Sequence, residues 1–357
     1  MNNSVKIIAE AGVNHNGSVD MALQLVDAAV SAGVDAVKFQ TFKAHSVISK
    51  IAPKADYQTK HTGDAESQLD MVKKLELNQT EHKKLIDHCL KQNIEFLSTP
   101  FDEASLDFLV NDLHVKMLKI SSGDLTNAPL LLKASLTQKP LILSTGMGTL
   151  GEIEMALGVL AYGYTQFNTR PSIDSFKEAY RSIAGQEALK TRVTLLHCTT
   201  EYPAPYCEIN LRVMDTLSSA FALPVGYSDH TMGLAIPIAA VARGAVVIEK
   251  HFTLDRHLPG PDHSASLEPD ELKELVKSIR QVEKALGTSI KVPTNSEIPN
   301  ISVARKSLVA SKPIVLGSLI NKDNLTTKRP GTGISPMYYW DFLGKIADKD
   351  YAEDDLI

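Results

Sequence analysis

The chain has 357 residues, 43% apolar and 22% charged, with a net charge of −5. This composition supports a large core and excludes a disordered chain, and the length is more than one compact domain usually takes, so two domains are expected. The acidic balance argues against nucleic acid or an anionic membrane surface as a partner. Three cysteines, Cys89, Cys198 and Cys207, none in a CxxC pair, point to a reducing cytoplasm rather than a disulfide framework. The first residues lack the order of a signal peptide, and the most apolar stretch, Gly233 to Ile248, is broken by Pro237 and Arg243, so no membrane span is expected.

In chain order, short β-branched runs alternate with longer helical patterns. Run one is Ile7-Ile8-Ala9, and Ser18 is placed to cap a helix with Ala22, Leu23, Val26, Ala29 and Val30 on one face. Run two, Ala36 to Gln40, leads through a long loop to a helix near Thr80 to Gln92. Run three is Ile94 to Ser98, Asp102 caps the next helix, and run four is Met117 to Ile120. A helix near Pro129 to Leu136 precedes run five, Pro140 to Ser144, and another spans about Leu150 to Tyr162. The polar stretch Tyr164 to Arg192 reads as a local insertion. Run six is Val193 to His197, a helix lies near Leu211 to Ala220, and run seven is Pro224 to Gly226. A helix from about Leu234 to Arg243 precedes run eight, Val246 to Glu249, and an amphipathic helix, Glu268 to Leu286, follows. Eight such units over about 285 residues predict a closed (β/α)8 TIM barrel at residues 1–286, in the α/β class. An open doubly wound sheet is the alternative, but it needs no eighth unit and no GxGxxG follows run one. Residues 287–299 read as a linker, and residues 300–357, with turns at Leu316-Gly317-Ser318 and Arg329-Pro330-Gly331, as a small second domain that is marginal alone.

A barrel gathers its functional groups where strands end, and most of the runs end in polar residues. Run one ends in Glu10 and Asn14-His15-Asn16-Gly17, run two in Lys38 and Gln40-Thr41, and run three in Ser98-Thr99-Pro100. Run four ends in Lys119 and Ser121-Ser122-Gly123-Asp124, and run five in Ser144-Thr145-Gly146. Run six ends in His197-Cys198-Thr199-Thr200-Glu201-Tyr202, run seven in Ser228-Asp229-His230 and run eight in Glu249-Lys250-His251. Two lysines, Lys38 and Lys119, with the hydroxyls of Ser122, Ser144, Thr200 and Ser228 suit an anion such as phosphate, and Gly123 and Gly146 let backbone N–H groups approach it. For each lysine alone, a salt-bridged strand-end residue is an equal alternative. Adjacent strands lie roughly 4.8 Å apart, so His230 and His251 could share one divalent cation, with Glu10 on the same arc. Such a set suits Mn, Fe, Co or Zn; the alternative is that one histidine is a satisfied core residue. His197 is expected to pack, and Cys198, with no base beside it, is not read as a nucleophile.

These residues together resemble the sialic acid synthase family, the bacterial N-acetylneuraminate synthases and their relatives. The segments that carry the resemblance are AEAGVNHNGS, AVKFQTFKA, FLSTPFDE, KISSGDL, ILSTGM, LLHCTTEYPAP, GYSDHT, IEKHFTLD and GPDHSAS, in order across the barrel. ARKSLVA and TTKRPGTGISP in the tail resemble the antifreeze-like (SAF, β-clip) lid of the same family. The resemblance implies a cytoplasmic, domain-swapped homodimer with Mn2+ as cofactor (Mg2+ or Co2+ as substitutes) held by His230 and His251. It also implies anion contacts from Lys38, Lys119, Ser122, Ser144, Thr200 and Ser228, with Thr99 as a further substrate-binding residue. Asp124 stands where relatives carry Glu, and Thr200 where some carry Asn. Sugar contacts would fall on Gln40, Tyr202, Asp262 and Arg329.

The implied activity is that of a transferase, an N-acetylneuraminate synthase. Phosphoenolpyruvate condenses with N-acetylmannosamine and water to give N-acetylneuraminate and phosphate by C–O cleavage, with Glu10 moving protons and the cation polarising the aldehyde. A legionaminic or pseudaminic acid synthase, acting on a di-acetamido deoxy hexose, is the near alternative. A condensing enzyme for a phosphorylated sugar would need a second basic cluster, which is not evident. A carbohydrate-binding or ice-binding protein is the alternative of another class.

Overall fold

The computed structural model describes residues 4–357 except 57, 60–62, 64 and 167. The chain divides into two compact units, Met1–Gly287 and Thr288–Ile357. The first unit is built from eight parallel strands: β1 (Lys6–Gly12), β2 (Ala36–Thr41), β3 (Glu95–Pro100), β4 (Leu118–Ile120), β5 (Leu141–Ser144), β6 (Val193–His197), β7 (Val225–Asp229) and β8 (Val247–His251). Their ladder runs β3-β2-β1-β8-β7-β6-β5-β4, so the first strand pairs with the last and β3 and β4 lie side by side where the (β/α)8 barrel closes.

The helices form as their end signals dictate. Helix α1 (Val19–Ala32) is capped by the Ser18 side chain and stopped by Gly33, whose φ of 79° a side chain would strain. Helix α2 (Gln79–Lys91) carries a capping box between Asn78 and Glu81, and α3 (Glu103–Asp107) is capped by Asp102. Helix α4 (Ala128–Leu136) precedes β5, and α5 (Leu150–Thr165) runs three residues beyond its predicted end. The stretch predicted as an insertion folds as two further helices, α6 (Ile173–Arg181) and α7 (Ile183–Arg192), both packed on α5; residue 167 lies outside the described residues. Helices α8 (Val213–Phe221) and α9 (Ala235–Ala242) flank β7. Helix α10 (Pro269–Leu286) begins with proline at its first turn and buries Leu272, Leu275, Val276 and Ile279, packing beside α1 and α9 so that the outer ring closes.

The barrel interior is layered by the two-residue period of its strands. Ile8, Ala36, Leu97, Met117, Ile142, Leu196 and Val247 pack as one apolar floor, with Ile8 and Ala36 in register. Gly226 completes it on β7: a Cβ there would run into Leu196 and Val247, so no larger residue fits. Two residues further along, the same face carries Glu10, Lys38, Thr99, Lys119, Ser144, Cys198, Ser228 and Glu249. Two further still, it carries Gln40, Phe101, Ser121, Gly146, Thr200, His230 and His251. A sealed floor thus holds a ring of charged and hydroxyl groups beneath a ring that bears both imidazoles.

In the second unit, β9 (Ser307–Ala310) pairs antiparallel with β10 (Leu325–Lys328). Leu308, Ala310, Ile314, Ile320, Leu325, Ala347 and Tyr351 form a small core. The predicted linker overlaps a short helix, Ile298–Ala304, and all of it after Gly287 belongs to this unit. No helix among the described residues is long and apolar enough to cross a membrane.

Candidate active site

The middle ring lines a cavity of about 500 Å³ at the C-terminal ends of the strands. Glu10 and Lys38 are register partners on β1 and β2, and their side chains pair directly. Lys38 also lies 3.7 Å from Glu249 and donates to the Thr99 hydroxyl at 3.2 Å. Lys119 approaches Glu249 at 3.3 Å from the opposite side, and Ser228 donates to Glu249 at 3.0 Å. All four charged groups are buried. Burial pushes the Glu10 carboxyl upward, only partly opposed by Lys38. Burial works against the charge on Glu249 too, but the Lys119 and Lys38 ammonium groups outweigh it and hold this carboxyl down. Burial lowers Lys119, while for Lys38 the two carboxylates outweigh burial and raise it. The ring therefore keeps a fixed cation at Lys38 and a carboxyl at Glu10 that takes up a proton readily.

Beside this cluster lies a hydroxyl cradle. The Gly146 N–H donates to Ser122 Oγ at 3.0 Å, and Ser122 meets Cys198 Sγ at 3.1 Å. A Cβ on Gly146 would stand 2.6 Å from Thr200 Oγ1 and 2.9 Å from both Cys198 Sγ and Ser122 Oγ. The hydroxyls of Ser144 and Thr200 are buried without a hydrogen-bond partner. Buried polar atoms are rarely left so, and these two are supplied if a ligand's acceptor oxygens enter the cradle. Cys198 is buried and its thiol is pushed up by that burial, which suits packing rather than attack. His197, buried, hydrogen-bonds the Ile209 carbonyl at 2.7 Å and packs outside the ring.

In the upper ring, the His230 and His251 rings are 5.5 Å apart, and the Tyr202 ring lies over His230 at 4.2 Å. His230 Nδ1 is 2.6 Å from the Thr199 carbonyl, which can only accept, so Nδ1 carries the proton and Nε2 keeps its lone pair. Burial holds His230 at about 4 and His251 well below the usual histidine range, the latter also repelled by His230. Both are neutral, the form that binds metal. His251 Nδ1 is buried without a hydrogen-bond partner, and the Asp262 carboxylate is 3.9 Å away. An orphaned imidazole nitrogen 3.9 Å from a carboxylate, on a ring next to a second neutral imidazole, fits a divalent cation. Among the described residues no ready-made group of three ligands exists, so water or substrate oxygens would complete the shell, as manganese and magnesium commonly allow.

Of the sequence-predicted residues, Glu10, Lys38, Gln40, Thr99, Lys119, Ser122, Ser144, Thr200, Tyr202, Ser228, His230, His251 and Asp262 all line this one cavity. Asp124 does not. Its carboxylate accepts from Ser121 Oγ at 2.9 Å and Asn127 Nδ2 at 3.0 Å, closing the turn after β4, because the shorter aspartate arm is used up locally. Arg329 belongs to the second unit, exposed just after β10. Sequence reasoning named Glu249 as a strand-end residue but gave it no role; it faces both lysines, and its signal is its place two residues before His251 on the same strand face. Sequence reasoning missed an apolar wall of the cavity, in which Phe42, Val47, Ile48, Met71, Val72, Leu75 and Phe101 come from the loop after β2 and the end of β3.

Residues 25–291 match the NeuB family and residues 305–357 match the SAF domain. N,N'-diacetyllegionaminic acid synthase of Campylobacter jejuni is 54% identical over 98% of both chains. The enzyme of the same name from Legionella pneumophila is 46% identical over 95% of this chain and 89% of its own. Among solved structures, a sialic acid synthetase from Leptospira borgpetersenii, crystallised with citrate, superposes with a TM-score of 0.67 at 36% identity, over 84% of this chain and 91% of that one.

Proposed function

The chain belongs to the NeuB family, and from that membership we propose that it condenses phosphoenolpyruvate with a 2,4-diacetamido-trideoxy hexose of the manno type, releasing N,N'-diacetyllegionaminate and phosphate. One observation carries the chemistry: two buried ammonium groups and the orphaned Ser144 hydroxyl share the ring below two neutral imidazoles, with the orphaned Thr200 hydroxyl on the imidazoles' own ring.

In this reading the anion occupies the middle ring. Lys38 and Lys119 meet its carboxylate and phosphate, and Ser122, Ser144 and Thr200 donate to its oxygens, with Ser122 Oγ itself held by the Gly146 N–H. With water largely excluded, these contacts count for more than in bulk solvent. A divalent cation, Mn2+ first and Mg2+ or Co2+ as substitutes, would when bound to His230 and His251 polarise the sugar's open-chain carbonyl. Gln40, Tyr202 and Asp262 orient the sugar chain against the cavity's upper ring. Carbon 3 of phosphoenolpyruvate then bonds to the aldehyde carbon, water adds its oxygen at carbon 2, and the bond from carbon 2 to the phosphate oxygen breaks. Glu10, with its raised proton affinity, takes one proton from the water and returns it to the oxygen left on the former aldehyde carbon, while the water's second proton leaves with the phosphate.

Two features favour the diacetamido sugar over N-acetylmannosamine, which the resemblance put first. The relatives named above that carry that activity are the more similar in sequence. The apolar wall suits a methyl at carbon 6 and a second acetamido methyl better than a hydroxymethyl group. A phosphorylated sugar is disfavoured, since Lys38 and Lys119 are the cavity's lysines among the described residues and both serve the middle ring.

The test supplies phosphoenolpyruvate and Mn2+ with each aldose and records phosphate release. The diacetamido sugar should exceed N-acetylmannosamine in kcat/KM by about 10–100-fold, the span that a few apolar contacts give. A preference for N-acetylmannosamine would move the assignment to N-acetylneuraminate, and no phosphate release with any aldose would end the synthase reading.

A further inference from the structure

Strands β7 and β8 carry a second ion pair that the chemistry above does not use. Lys250 and Asp229 are register partners, and their side chains meet at 2.7 Å with no exposure to solvent. Strand alternation turns both away from the cavity, toward the helix layer where Tyr227 and Ile248 pack as core. That layer is ordinarily apolar, and a buried pair there gives little or no stability over well-packed apolar side chains. Its retention calls for another purpose.

The hydrogen bonds supply one. Asp229 Oδ1 accepts from Thr231 N at 3.0 Å, from Thr231 Oγ1 at 2.8 Å and from Tyr227 Oη at 3.2 Å. Lys250 Nζ donates to Asp229 and also to the Thr231 carbonyl. Thr231 is thus gripped through its N–H, hydroxyl and carbonyl. Each end of the grip adjoins an imidazole: His230 sits between Asp229 and Thr231, and His251 follows Lys250. We propose that the Asp229–Lys250–Thr231 clamp is a positioning device that fixes the separation and aim of His230 and His251 for a shared divalent cation. This inference rests on the metal reading given above.

The clamp and the anion ring stand on opposite faces of the same strands, so disabling the clamp should damage cation binding and leave anion binding largely intact. The experiment compares the full-length wild-type protein, His251→Ala, Lys250→Met and the paired Asp229→Leu/Lys250→Met variant. Mn2+ binding is read by electron paramagnetic resonance, phosphoenolpyruvate binding by calorimetry, and folding by thermal melting. Lys250→Met strands a buried carboxylate and can fail to fold; the paired variant removes both charges at once but leaves the Thr231 and Tyr227 groups short of a partner, so it is expected to stay folded and melt below the wild-type temperature. Mn2+ affinity in the paired variant should fall about 10–100-fold, the usual loss when a ligand's supporting contacts go, with phosphoenolpyruvate affinity within about threefold of wild type. Thr231→Ser, which keeps the hydroxyl, should retain Mn2+ affinity. A folded paired variant that binds Mn2+ as the wild type does would overturn the clamp alone. A wild-type protein with no Mn2+ site that His251→Ala removes would overturn both the clamp and the metal reading.

Discussion

Gly146 shows how much a single atom decides at this site. A methyl there would press on three short side chains, the half-buried Thr200 and Ser122 and the buried Cys198, which would have to rotate away from the cradle. Gly146→Ala should therefore raise KM for phosphoenolpyruvate tenfold or more while changing the melting temperature by only a few degrees; steady-state kinetics beside a thermal melt checks this. His251→Ala should remove metal-stimulated phosphate release, and full activity in that variant would defeat the metal assignment. Much of this cavity was legible residue by residue, because a lysine, a glutamate or a histidine at the end of a buried strand is conspicuous. The role of Glu249 escaped because residue type says nothing about which face of β8 is the inner one. That face follows only from the floor, where Val247 packs with Ile8 and Leu196. Asp124 shows the opposite limit: it stands at a strand end, yet Ser121 and Asn127 satisfy its carboxylate within its own turn.

Among the elements, the capped helices were the easiest to read. Ser18 and Asp102 cap as their spacing predicts, each accepting a backbone N–H three residues on. The Asn78 cap of α2 accepts from Glu81 N at 3.0 Å while Glu81 returns a bond to Asn78 N at 2.6 Å. Asn78→Ala should cost about 1 kcal/mol, measured as a lower urea midpoint with an unchanged slope. The segment 164–192 was harder. Its two helices bury little of their own, Ser175 and Ala179 in α6 and Gly185 and Leu189 in α7, so the sequence reads as polar throughout. Their order comes from docking on α5, a partner that local periodicity cannot name.

Across the whole molecule, the eightfold alternation of runs and helices was sufficient to name the barrel, since few other architectures need eight consecutive units. The loop beyond β2, which builds the apolar wall, lay outside that logic. Acid sensitivity is a property at this scale. His15 accepts the Gly17 N–H through Nδ1 at 3.0 Å, and His263 bridges Thr253 and Asn16, so the two tie together the loops after β1 and β8. Burial holds each at about 4. An unfolded chain protonates its histidines near 6.5, so between about pH 6.5 and 4 the unfolded state binds more protons, and stability falls as pH falls through that window, by at most about 1.4 kcal/mol per unit for each group. His15→Gln should flatten the melting temperature against pH over this range; an equally steep profile would assign the acid loss to other groups. The apolar floor has a kinetic corollary as well. Because Ile8, Leu97, Ile142, Leu196 and their neighbours plug the far end of the shaft, both reactants must use one doorway, and whichever seats deeper has to enter first. In the proposed reading phosphoenolpyruvate takes the deeper seat, so it should lead a compulsory queue, with the sugar binding measurably only after it; sugar retained by the free enzyme would show that the deep seat can be filled past an occupied threshold.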